Sequence, residues 1–218
     1  ENALTVIKVR KENTAQKGRI SVQKTGDIFT SVNMASSAYT DENGELVVNS
    51  TTYTPVFADG DLSGAVFQVI AVEDIVTLDG TTRAYAGDVV SEITTDENGY
   101  AETEPLYLGK YEVREIKAPD GYVLNNEPKD VEVTYAGQEF EVRDTVNTAF
   151  ENEYQGVRIS LSKVMENDEL FGIYGKDYYT SVRFGLFAAE DITAADGSVI
   201  PADGLLSEVS LDENMTAK

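Results

Sequence analysis

The sequence predicts an all-β protein built from β-sandwich modules in tandem, and three observations carry that reading. Short stretches of alternating apolar and polar residues recur along the chain, each bounded by turn-forming residues. No comparable segment shows the 3.6-residue apolar period of an amphipathic helix. The chain also repeats itself, so that one module accounts for most of its length.

The predicted strands, in order, are GRISVQ (18–23), GELVV (44–48), GAVFQVIAV (64–72), GKYEVREI (109–116), KDVEVTY (129–135) and QEFEVRD (138–144). DENG at 41–44 and again at 96–99, LDG at 78–80 and PDG at 119–121 supply the turn chemistry between them. The two DENG stretches read as hairpin turns, because neither continues into the alternating oxygen ligands and distal glutamate of a calcium loop. No metal or other cofactor is expected.

ENTAQKGRISVQK (12–24) laid on ENEYQGVRISLSK (151–163) matches at seven of thirteen positions without a gap, an offset of 139 residues. FQVIAVEDI (67–75) then resembles FGLFAAEDI (184–192), and VVSEITTDENGYA (89–101) resembles LLSEVSLDENMTA (205–217). Residues 18–155 read as one complete module and 156–218 as the first part of a second, with no counterpart of YEVREIKAPDGY. Residues 1–17 read as the closing strand of a module before it, so the chain is expected to be a window on a longer array. Lys24 to Phe67 spans 43 residues where Lys163 to Phe184 spans 21, so the first copy carries about 22 extra residues. An added hairpin around VNMASSAYTDENGELVV, a decorating loop, is the expectation.

Composition removes several function classes. Of 218 residues, 17 are basic and 39 acidic, and the net charge of −22 repels a nucleic acid backbone. Cysteine and histidine are absent, which excludes disulfides, thiol nucleophiles and imidazole bases. No run of 18 or more apolar residues is present to insert in a membrane, and the first residues lack the apolar region of a signal peptide.

Three polar residues fall on apolar faces. Alternation in GRISVQK puts Ile20, Val22 and Lys24 on one side, with Arg19, Ser21 and Gln23 outside. In YEVREI, Tyr111, Val113 and Glu115 point together, and in the closing strand Val146, Thr148, Phe150, Asn152 and Tyr154 do so. A buried lysine, carboxylate and amide are each costly alone. Together they are reactive: a desolvated lysine is a free-amine nucleophile, and an asparagine amide carbon is an electrophile once its oxygen is polarised. A carboxyl group kept protonated in the same apolar site supplies that polarisation and carries the proton to departing ammonia. The product is a Lys24–Asn152 isopeptide bond. A buried Lys24–Glu115 ion pair without chemistry is the other reading of the same residues.

GRISVQK, GAVFQV, LYLGKYEVREIKAPDGYVL and FENEYQG together resemble the Cna-B-type (collagen-adhesin B, SpaA-type, prealbumin-like) domains of Gram-positive pilins and surface adhesins. The third stretch looks like that family's E-box and is the most specific. The resemblance implies a prealbumin-like, Ig-like sandwich on the cell wall or cell surface. It also implies an autocatalytic bond between a lysine of the first strand and an asparagine or aspartate of the last, assisted by the E-box glutamate. By position these are Lys24, Asn152 and Glu115. Asn13 matches Asn152 for a preceding module and Lys163 matches Lys24 for a following one.

The expected function is structural: a self-crosslinked stalk or pilus-shaft repeat, with neighbouring modules or subunits as partners and no turnover chemistry, since Lys24 would be consumed in one reaction. The other class is an adhesin module that grips a host protein or glycan, for which the twelve tyrosines offer stacking surface. Tyr100, Tyr107, Tyr111 and Tyr122 lie close to the E-box in sequence, where core packing is the commoner use.

Overall fold

The computed structural model describes residues 8–10, 13–40, 42–142, 145–164, 170, 182–212 and 216–217. It contains strands and turns and, among the described residues, no helix. The chain divides into two units: Glu1–Gly26 with Gly60–Tyr154, and Asp27–Asp59 with Gln155–Lys218. The expected closing strand of an earlier module, 1–17, lies largely outside the described residues.

The principal strands are β1 (Ile20–Thr40), β2 (Leu46–Asp61), β3 (Val66–Ala71), β4 (Val89–Thr94), β5 (Tyr100–Glu102), β6 (Gly109–Lys117), β7 (Lys129–Val133), β8 (Val146–Asn152), β9 (Arg183–Phe187) and β10 (Leu205–Ser210). In the first unit, one sheet runs β7-β6-β3-β4 and is antiparallel throughout. The opposing layer is formed by the first residues of β1, which pair with β8 in parallel and with β5 antiparallel. Alternation along each strand sends one set of side chains inward, and Ile20, Val22, Phe67, Val69, Tyr111, Val113, Val131, Val133 and Phe150 fuse into a single core.

Two expectations about strands need correction. QEFEVRD is not a strand over its described residues: 138–142 form a turn and one bridge, Lys17 to Val142. There Gly137 at φ 105° and the side chain of Gln16, which bonds Gly137 O and Phe140 O, take up backbone groups that a ladder would otherwise pair. Ser21 was expected outside, yet it is 2% exposed. β1 is flanked by β8 and β5, and Ser21 Oγ donates to Asn147 Oδ1 at 2.6 Å, so the hydroxyl is buried satisfied.

In the second unit, β9 and β10 pair antiparallel, and β2 adds in parallel at Thr52↔Leu205. The insertion is the long hairpin made by the far part of β1 with β2. Around its second and third matched stretches the sequence repeat is reproduced in the register and the hydrogen bonds. Ile70↔Val89 follows a bulge after Val69↔Ser91, and Phe187↔Leu205 follows a bulge after Leu186↔Ser207. Ala86 N–H donates to Asp74 Oδ1 at 2.9 Å, and Ala202 N–H to Asp191 Oδ1 at 2.7 Å. Gly87 at φ 91° has its counterpart in Asp203 at φ 62°, each donating its N–H to the matching alanine carbonyl, Ala71 or Ala188.

Candidate functional site

Lys24, Glu115 and Asn152 come from β1, β6 and β8 and meet inside the first unit, at 0%, 2% and 3% exposure. The parallel register sets Phe150 beside Lys24 and Asn152 beside Gly26, so the asparagine lies one inward position beyond the lysine. Glu115 pairs with Phe67 on the facing sheet, next to an irregularity before Lys117.

The carboxylate is the hub. Asn152 Nδ2 donates to Glu115 Oε1 at 2.9 Å, and Lys24 Nζ lies 3.7 Å from the same oxygen. The other oxygen, Oε2, accepts the backbone N–H of Asn125 at 2.8 Å. Among the described residues, two buried side-chain atoms have no hydrogen-bond partner: Lys24 Nζ and Asn152 Oδ1. In an attack of the amine on the amide these would be the attacking nitrogen and the oxygen to be polarised, and leaving both unsatisfied is costly in a core.

Burial away from water lowers the Lys24 pKa, against the raising influence of Glu115 and, further off, Glu151; the charge of Lys129 adds to the lowering. Phe67 and Phe150, with ring centroids 4.8 Å apart, supply apolar surroundings close to the lysine's register position. Lys129 is anchored over the Phe150 ring at 4.9 Å and donates to Ala149 O, which fixes its charge near the site without entering it.

The lysine backbone is clamped from both sides: its N–H donates to Gly99 O at 2.7 Å and its carbonyl accepts from Leu62 N–H at 3.0 Å. Gly99 closes the second DENG turn at φ 67°, and a Cβ there would stand 2.3 Å from Lys24 O. Gly26 is equally constrained, since a Cβ would lie 2.5 Å from Asn152 O and 2.7 Å from Leu62 Cδ1. Asn125 holds its own segment in place through Nδ2 to Glu151 O at 3.1 Å and Oδ1 accepting Glu127 N–H at 3.0 Å. A cleft lined by Val123, Leu124, Asn125, Glu151, Asn152 and Glu153 lies beside the amide.

Sequence reasoning named the three central residues and missed Asn125, Gly26 and Gly99. The DENG motif was a signal for Gly99; a main-chain donor such as Asn125 N–H leaves none. Asn13 and Lys163, the matching positions of the neighbouring copies, are both exposed. Of the tyrosines, Tyr111 is buried with its hydroxyl on Tyr107 O at 2.6 Å, and Tyr122 stacks on Tyr154 at 4.5 Å.

Residues 50–148 match the SpaA family, a prealbumin-like fold domain. The trypsin-resistant surface T6 protein of Streptococcus pyogenes serotype M6 is 27% identical over 147 residues, covering 67% of this chain and 23% of its own length. The chain therefore spans about a quarter of that relative. Among solved structures, the minor pilin GBS52 of Streptococcus agalactiae is 17% identical, with 69% of this chain and 50% of that one covered at a TM-score of 0.39. The major pilin SpaD of Corynebacterium diphtheriae is 21% identical over 64% of this chain and 30% of that one, at 0.36. Residues 50–148, the stretch that holds Glu115, are thus similar in sequence to a SpaA-type, prealbumin-like domain.

Proposed function

We propose that this chain is a structural segment of a Gram-positive surface protein, a stalk or pilus-shaft repeat held by an autocatalytic Lys24–Asn152 isopeptide bond. In this reading residues 18–155 are the complete module, 156–218 begin the next, and 1–17 close the one before. The observation that carries it is the pair of unsatisfied buried atoms, Lys24 Nζ and Asn152 Oδ1, on either side of one carboxyl group.

The chemistry balances within the site. A proton passes from the Lys24 ammonium to Glu115, giving the free amine and the carboxylic acid. Rotation of the Asn152 amide by half a turn presents Oδ1 in place of Nδ2 to Glu115 Oε1, which then donates to it. The amine attacks the amide carbon, and the tetrahedral intermediate returns its proton through Glu115 to the departing nitrogen. One C–N bond forms, one breaks, and one ammonia leaves by way of the cleft beside Asn152. Lys24 and Asn152 are consumed, so there is no turnover.

A bond between the first and last strands lets tension enter and leave the module without loading its core. The partners are then neighbouring modules or subunits, and the setting is extracellular. The deciding experiment is the intact mass of the purified chain beside a Glu115→Ala variant. The native chain is expected to be lighter than its sequence by one ammonia and the variant to have its full mass; full mass for both overturns the proposal.

A further inference from the structure

The second unit shows what the inserted hairpin does. Ala195 N–H donates to Phe29 O at 3.0 Å and Asp196 N–H to Thr30 O at 3.2 Å, while Val32 N–H donates to Ser198 Oγ at 3.0 Å. Thr52 pairs with Leu205 at the edge of β10, and the Tyr53 ring is close enough to Gly204 that a Cβ there would meet it at 3.2 Å. The acceptor has two parts, the turn Ala194–Ser198 and the outer edge of β10. Both are fastened to the hairpin largely through main-chain groups, a mode of strand addition that depends little on side-chain identity.

Among the described residues, the first unit carries the same acceptor with no strand laid on it. Its turn Thr77–Thr81 has the same internal bonds: Thr77 N–H to Thr81 O and Gly80 N–H to Thr77 O, as Ala194 N–H to Ser198 O and Gly197 N–H to Ala194 O. Its β4 stands where β10 stands, with Val89 at the register position of Leu205 after the same bulge. Among the described residues β4 is the last strand of its sheet. Leu78, in the place of Ala195, is fully exposed, and Val76, Tyr85 and Val89 nearby are each more than half exposed. An open strand edge beside apolar side chains is a pairing surface that sheet proteins ordinarily cover.

We propose that this face, the turn Thr77–Thr81 with the outer edge of β4, is a docking surface for a β-hairpin arm from another repeat, of the kind that Asp27–Asp59 provides here. The inserted hairpin is then an arm and not a decoration: each repeat takes a strand from the chain of a different one. The proposal does not depend on the isopeptide bond.

The test uses full-length chains, whose lack of cysteine makes engineered thiols unambiguous. A Thr52→Cys, Leu205→Cys chain with oxidised glutathione is expected to close a disulfide within the monomer, which establishes the arm on its acceptor in solution. Thr52→Cys chains mixed with Val89→Cys chains are then expected to form a mixed dimer at least tenfold faster than with Asp130→Cys chains, whose thiol lies on β7 at the opposite side of that sheet. In parallel, a synthetic peptide of residues 27–59 titrated into isotopically labelled chain is expected to shift and protect the amides of 77–81 and 89–94. A monomeric disulfide with no preference for Val89 and no amide response at those residues overturns the proposal. So does failure of the monomeric disulfide itself. Glu115→Ala chains are expected to behave identically, which separates this result from the fate of the crosslink.

Discussion

The backbone N–H of Asn125 binds Glu115 Oε2 at 2.8 Å and thereby reserves the other oxygen, Oε1, for Asn152 and Lys24. A main-chain donor can only serve an acceptor, so in the proposed reaction the proton is handled by Oε1, the oxygen that faces Lys24 and Asn152.

Asn125→Ala removes the two side-chain bonds that hold this donor in place while keeping the N–H itself. Crosslinking is expected to slow by roughly three- to tenfold, about 1 kcal/mol, without being abolished. The time course of ammonia loss after refolding, followed by intact mass, checks this. An unchanged rate would show that the segment needs no such anchor.

The lowered Lys24 pKa has a sign that can be measured in an Asn152→Ala chain, where the amine stays free. Below the ordinary lysine value of about 10.4, the unfolded chain binds a proton that the folded chain resists, so stability rises with pH up to that value from the depressed folded one. Above about pH 10 the unfolded phenol of Tyr111 begins to ionise while burial holds the folded one up to about 12, which opposes the trend. Urea midpoints from neutral pH to below that limit are expected to climb, and a flat profile would place the Lys24 amine in water. In the native sequence, crosslinking should accelerate over the same direction of pH.

Glu115→Gln keeps the shape of the side chain and removes its proton chemistry. The chain is expected to keep its full mass and to lose about 4–5 kcal/mol of stability, the closure of a loop from Lys24 to Asn152 estimated by analogy with a disulfide. Chemical denaturation of the two chains provides the comparison. Asn152→Asp, in contrast, retains a leaving group and is expected to crosslink with loss of water in place of ammonia, distinguishable by mass.

Gly26→Ala puts a methyl group 2.5 Å from Asn152 O and 2.7 Å from Leu62 Cδ1. The first obstacle is backbone, so the two paired strands must part at the reacting residues. A loss of about 1–3 kcal/mol and incomplete crosslinking are expected, read from the melting curve and the mass spectrum. Wild-type behaviour would mean that β1 and β8 have slack at this level.

The sequence by itself determined the fold class and the identity of the three central residues. Period-2 alternation is a local property, and a lysine, a glutamate and an asparagine at inward positions betray themselves against Ile20, Val113 and Phe150. The repeat was equally plain, although the bulge shared by β4 and β10 emerged only in the fold. Tertiary structure decided the rest. It put Ser21 inside, because whether a face is wet depends on which strands flank it. It ended the ladder before QEFEVRD, because Gln16, over a hundred residues away, satisfies that backbone. It supplied Asn125 through an N–H that nearly every residue carries. It also gave the inserted hairpin its place, because the main-chain bonds from Ala195 and Asp196 and the pairing of Thr52 with Leu205 are made by groups common to all sequences, and only the folded chain says which of them meet.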